Sequence, residues 1–167
     1  MKSFLLTLAI LISFLVASSQ QLKLEISGNV NFDNSLFTIN EAGLDFPSVL
    51  ETQSSIYLTV YQDDYFTKKN NPNSKWRIAI FKQDNWSDDL KMEVKRSGSG
   101  NNLGNNGHPN IHGGENYQVV RNTEDQFIEG KGEIGDIPVS LKLSGFSITM
   151  GAGSHNTKIL FTVYEGW

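Results

Sequence analysis

An all-β fold, a sandwich of two antiparallel sheets built from about eight to ten short strands, follows from three features of this sequence. Two runs near the carboxyl end, Ile137-Pro138-Val139-Ser140-Leu141-Lys142-Leu143 and Phe146-Ser147-Ile148-Thr149-Met150, alternate apolar and polar residues. Only a strand turns a period of two into one buried and one wet face. The run Lys158-Ile159-Leu160-Phe161-Thr162-Val163-Tyr164 is apolar at almost every position, which predicts a strand set between neighbours and covered on both faces. Elsewhere short apolar alternations are punctuated by Gly, Asn and Pro, and no segment carries the period of an ordinary helix. A closed β-barrel is the alternative.

Residues 1–19 read as a signal peptide: Lys2 supplies the positive start, Phe4 to Val16 the apolar core, and Ala17-Ser18-Ser19 the small residues before a cut at Gln20. That apolar core is shorter than the roughly 20 residues a membrane span needs, so a lasting anchor is the weaker reading. Removing 19 of the 167 residues leaves 148, enough for one domain, here 20–167, with its own core. Lys2 leaves with the signal, so 13 of the 14 basic residues remain against 18 acidic ones, a net charge of −5. An acidic chain is a poor ligand for nucleic acid or for an anionic membrane surface. With no cysteine there is neither a lipidation site of the bacterial lipoprotein kind nor a disulfide, and stability must come from packing and strand pairing. Secretion to a bacterial periplasm or cell surface is the expected destination.

The strands follow in order. Leu22, Leu24 and Ile26 alternate with Lys23, Glu25 and Ser27 at the new N-terminus. Phe32 to Ile39 is a second strand, and Asn40 to Ser48 a connection. In Ser54 to Tyr61, Ile56, Leu58 and Val60 take one face, and Tyr57, Thr59 and Tyr61 the other. Asp63 to Ser74 is a polar loop around Asn70-Asn71-Pro72-Asn73. Trp76, Ile78 and Ile80 mark the core face of the next strand; after a turn at Asn85 to Asp89, Leu90, Met92 and Val94 mark another. Tyr117 to Val120 and Gln126 to Glu129 precede the three carboxyl-terminal runs. Ser97 to Gly114, with six glycines, five asparagines and two histidines, is expected to be a flexible connector giving almost nothing to a core.

Candidates for chemistry are sparse. His108, His112 and His155 could together hold a zinc ion, but Pro109 and Gly113-Gly114 oppose a helix that would align the first two. No carboxylate or cysteine accompanies them at ligand spacing, so no metal and no cofactor is expected. Ser97-Gly98-Ser99-Gly100 lacks the Gly-x-Ser-x-Gly form of a hydrolase elbow, and a thiol nucleophile is excluded. Glu129 and Glu133 are close enough for a carboxylate pair, yet Gly130 and Gly132 between them predict a turn. Asp63-Asp64 and Asp88-Asp89 do not have the spacing of a calcium loop, and Asn85-Trp86-Ser87 carries no weight as a glycosylation site in a bacterial protein. Aromatics at strand edges and in loops remain: Tyr57, Tyr61, Tyr65 and Trp86, with Phe66 and Trp167, of which the first four are candidate platforms for stacking sugars.

The run Ile137 to Leu143, the turn Gly153-Ser154-His155-Asn156-Thr157 and the terminal strand Lys158 to Tyr164 resemble the end of spore-coat-U-like pilin domains, the subunits of archaic chaperone–usher pili. The N-terminal alternation and the Trp76 strand share in the likeness; the missing cysteine pair and the glycine-asparagine loop depart from it. The resemblance implies an immunoglobulin-like two-sheet antiparallel sandwich lacking one strand, with Leu22, Leu24 and Ile26 on a strand donated to the next subunit. The alternative is that these residues pair within their own domain. The expected function is a non-enzymatic surface structural or adhesive subunit whose partners are copies of itself, other surface proteins or glycans. A carbohydrate-binding module is the alternative, and a small secreted hydrolase the second alternative.

Overall fold

The structure is a computed structural model that describes residues 21–30, 32, 49–52, 56–63, 74–83, 89–104, 109–145, 147 and 157–166. The signal segment 1–19, nearly all of the strand expected at 32–39, the loop tip at 64–73, the second alternating run apart from Ser147, and the turn at 151–156 lie outside those residues. The described chain forms β1 (Gln21–Ser27), β2 (Val49–Glu51), β3 (Ile56–Asp63), β4 (Lys75–Gln83), β5 (Lys91–Arg96), β6 (Asn101–Asn102), β7 (Asn110–His112), β8 (Gln118–Val119), β9 (Asp125–Lys131), β10 (Ile134–Ser144) and β11 (Lys158–Glu165). All pairings are antiparallel, and two sheets result, one ordered β1-β3-β10-β5-β8 with β2 and β6 also on β10, the other β11-β4-β9-β7. The expected two-sheet antiparallel sandwich forms, and the closed barrel does not.

The larger sheet is built around β10. On one side β10 pairs β3 over Ile134 to Val139 and β2 over Lys142 to Ser144; on the other it pairs β6 over Ile134-Gly135 and β5 over Val139 to Ser144. So β2 and β3 are two pieces of one interrupted line, as are β5 and β6, and the described residues alone make eleven short strands. Thr52 spans the first interruption: its N–H donates to the Leu141 carbonyl (2.9 Å), and its Oγ1 accepts from the Leu141 N–H (3.1 Å). Pro138, which has no N–H to give, lies in this central strand beside the second interruption, where Ser97 N–H reaches its carbonyl at 2.9 Å.

Alternation reads out as burial. Leu58 and Val60 on β3, Trp76, Ile78 and Ile80 on β4, and Val94 on β5 are fully enclosed, with Leu90 and Met92 close to it. Ile137, Val139 and Leu141 of β10 meet them from the same sheet as β3 and β5. Among the described strands none is hydrogen-bonded to its neighbour in sequence. From β3 onward, with β5 and β6 counted as one interrupted line, the described strands alternate between the two sheets.

The tightest crossing joins β9 to β10 through Gly132 and Glu133 alone. Gly132 takes a positive φ of 71°, its N–H donates to the Ser74 carbonyl (2.8 Å), and its carbonyl accepts from the Trp76 indole Nε1 (2.6 Å). The indole leaves no room for a side chain at Gly130: a Cβ there would lie 2.4 Å from Cζ2 of Trp76. The expectation of a turn from Gly130 to Gly132 is therefore corrected, since Gly130 is a strand residue that is small to admit the ring.

β11 also departs from expectation. Among the described residues it pairs only with β4 and stands last in its sheet, and residues 159–164 are half-buried rather than enclosed. Ile159, Phe161 and Val163 pack on the core, while Leu160, Thr162 and Tyr164 lie on the outer face above β4. Apolar residues on both faces thus come from an edge strand whose outer face rests on its neighbour's side chains. No helix of the described residues is long and apolar enough to cross a membrane.

The crossing yields a prediction. Gly130→Ala should destabilise the domain by about 1–3 kcal/mol through overpacking, and Trp76→Ala by about 3–5 kcal/mol. In urea unfolding of residues 20–167, pairing Gly130→Ala with Trp76→Phe should cost less than the sum of the two singles. Strict additivity would show that the indole and Gly130 do not share the space.

Candidate interaction surfaces

Three regions carry the exposed and polar residues of interest. The first is the edge formed by β1. Its seven residues pair with β3 of the same chain, from Gln21 opposite Asp63 to Ser27 opposite Tyr57. Directly opposed residues share a face, so Leu22, Leu24 and Ile26 lie on the side of Gln62, Val60 and Leu58. Leu22 and Leu24 pack against the core, whereas Ile26 stays 49% exposed. The strand predicted as an assembly element is therefore drawn in its own domain, as an outermost strand with its second edge unpaired among the described residues.

The second region is the outer face of the larger sheet, where Tyr57, Thr59 and Tyr61 stand on β3 opposite Ser27, Glu25 and Lys23 of β1. Tyr57 is 40% exposed and lies opposite Pro138; Tyr61 is half-buried. Tyr65 and Trp86, the other two proposed platforms, lie outside the described residues. Next to Thr59 the β3–β10 register shifts between Ile134 and Ile137, a bulge on which Asp136 takes a φ of 53°. Asp136 N–H donates to Thr59 Oγ1 (3.2 Å), and Asn101 Nδ2 donates to Asp136 Oδ2 (3.3 Å). Sequence reasoning passed over Asp136; the one hint was an aspartate, which tolerates the left-handed region better than most residues.

Further along the same face, the Lys95 and Lys142 ammonium groups lie 4.4 and 4.3 Å from the centre of the Tyr117 ring. Lys142 also pairs with Glu93 at 2.8 Å. The Tyr117 hydroxyl is buried and makes no bond of ordinary geometry, with the Glu51 carboxylate near it. Burial first, and the negative charge of Glu51 second, push its pKa up to about 12.

The third region is the glycine-asparagine segment. Arg96, the last residue of β5, is a charged side chain held in the interior, only 7% exposed. Its Nε donates to the Gly113 carbonyl (2.9 Å), Nη1 to the Gly98 carbonyl (3.0 Å) and Ser99 Oγ (3.2 Å), and Nη2 to Glu115 (2.6 Å). One guanidinium thereby ties both ends of the segment together. The segment also carries β6 and β7, and Ile111 enters the core, against the expectation that it gives almost nothing. The alternation Leu90, Met92, Val94 points to Arg96 as an inward residue, a signal present in the sequence.

Among the described residues no three of His, Asp and Glu come together in a way that could hold a metal ion. His112 lies exposed on β7, opposite Glu129, and His108 and His155 lie outside the described residues. Glu129 and Glu133 part company: Glu129 accepts from Gln126 Nε2 (3.0 Å) on the smaller sheet, while Glu133 Oε1 accepts from Gln62 N–H (3.1 Å) at the crossing. Ser97 and Ser99 are engaged with the Pro138 carbonyl and Arg96. The arrangement defines the class of the molecule as a two-sheet antiparallel β-sandwich with built polar surfaces. Comparison with protein families, with characterised proteins and with solved structures gave no match to this chain.

The Tyr117 environment predicts a titration. In an absorbance titration at alkaline pH, one tyrosine should ionise near pH 12 rather than 10, and Glu51→Gln should bring that midpoint down. Because the folded pKa is raised, the contribution to stability is intact below pH 10 and is lost as pH climbs from about 10 to about 12.

Proposed function

We propose that this chain is an exported, non-enzymatic structural or adhesive subunit of a bacterial cell surface, assembling by exchange of its N-terminal strand between copies. The observation that carries the reading is the position of β1. It is first in the expected mature chain and, among the described strands, outermost in its sheet with β3 as its strand partner. Taking β1 away leaves the rest of the sheet order intact and uncovers the edge of β3 beside Leu58 and Val60, a slot that fits the same strand from another copy. The signal-like segment supports an exported setting, and an exported domain without cysteine suits a bacterial surface better than a small eukaryotic secreted domain. A second reading, a carbohydrate-binding module, is favoured by the exposure of Tyr57 on the outer face.

The test uses residues 20–167 and a variant lacking 20–27. Light scattering across concentration should show growing oligomers of the full form, and the shortened variant should capture a synthetic peptide of residues 20–30. A strict monomer at all concentrations, together with no peptide capture, overturns assembly by strand exchange.

A further inference from the structure

We propose that the outer face of the larger sheet around the β10 bulge binds a neutral carbohydrate chain, with Tyr57, Tyr61 and Asp136 as its contacts. Register on one side and hydrogen bonds on the other set four polar residues in one row across the sheet: Glu25 on β1 opposite Thr59 on β3, then Asp136 on the β10 bulge, whose N–H donates to Thr59 Oγ1, and Asn101 on β6, which donates to the Asp136 carboxylate. Tyr57 and Tyr61 stand two residues to either side of Thr59 on the same face, about 6–7 Å away along the strand. A polar row between two aromatic rings matches a sugar chain, whose hydroxyls hydrogen-bond to carboxylate, amide and hydroxyl groups while its C–H faces lie on the rings.

The conformation of Asp136 is the second observation. A left-handed φ of 53° is unfavourable for any residue with a Cβ, and glycine would satisfy the same bulge without that cost. Bulges re-aim side chains, and this one presents an exposed carboxylate beside Thr59 and Asn101. The carboxylate takes one hydrogen bond from Asn101 and retains acceptor capacity for ligand hydroxyls. Charge disfavours an acidic ligand: the two carboxylates of Glu25 and Asp136 outnumber the one ammonium, Lys23 opposite Tyr61.

The proposal rests on the surface-subunit reading only for what an adhesive target would be. Its test is binding, whereas that reading is tested by assembly, so either can fail alone. Residues 20–167 are titrated calorimetrically with cellohexaose, laminarihexaose, mannohexaose and chitohexaose, with heparin as the acidic control. At least one neutral hexasaccharide should bind. Tyr57→Ala and Tyr61→Ala should each weaken it severalfold to about tenfold, and Asp136→Gly about tenfold or more while the melting temperature holds or rises. Silence from all four neutral sugars, binding of heparin alone, or affinity unchanged in the three variants would each overturn the site. A fall in melting temperature for Asp136→Gly with sugar affinity kept would assign Asp136 a structural role and also overturn it.

Discussion

The indole of Trp76 governs the geometry of this sandwich. Two residues are very few for a chain to leave one sheet and enter the other, and the carbonyl at such a crossing risks burial without a donor. Trp76 supplies that donor at Gly132 and fills the space beside Gly130 with its ring. Only after the crossing is fixed does β10 start in the place where it can meet β3 and β6 at its first residues and β2 and β5 at its last. The bulge at Asp136 begins just two residues into that strand. An outer-surface feature thus inherits its position from a buried ring in the opposite sheet.

The faces of this fold were legible in the sequence, and the partners of its strands were not. Ile56, Leu58 and Val60, or Trp76, Ile78 and Ile80, announce an inner face because a period of two has one physical outcome. The same period says nothing about which strand lies alongside. Every described strand bonds to partners that are not its neighbours in sequence, so among the described residues no short hairpin turn joins a pair. Such topologies depend on long-range closure and fold slowly for the same reason.

The departures at β11 and in the 97–114 segment have one cause: residue composition does not measure burial, which is decided by neighbours. The apolar β11 lies at an edge among the described residues, with Leu160 and Tyr164 set beside Phe81 and Arg77 of β4 and Arg77 5.2 Å from the Tyr164 ring centre. The glycine-rich 97–114 segment holds a buried arginine because glycine carbonyls approach a guanidinium closely and in number, at Gly98 and Gly113. A guanidinium sealed from water is tolerable when carbonyls and a carboxylate satisfy its donors. Glu115, far more exposed than Arg96, completes that set from the solvent side.

β1 connects the two functional proposals through its register. Its odd residues Lys23 and Glu25 belong to the outer face and its even residues Leu22 and Leu24 to the core. A slip by one residue would bury the charges and expose the leucines, so pairing at this edge is specified by the alternation itself. That constraint holds whether the strand comes from its own chain or from a neighbour. If it comes from a neighbour, Glu25 beside Thr59 comes with it, and the polar row on the outer face is completed by the subunit next in line. Assembly would then build the same surface at every junction, with the leucines setting the register and the carboxylate carried into place as a consequence.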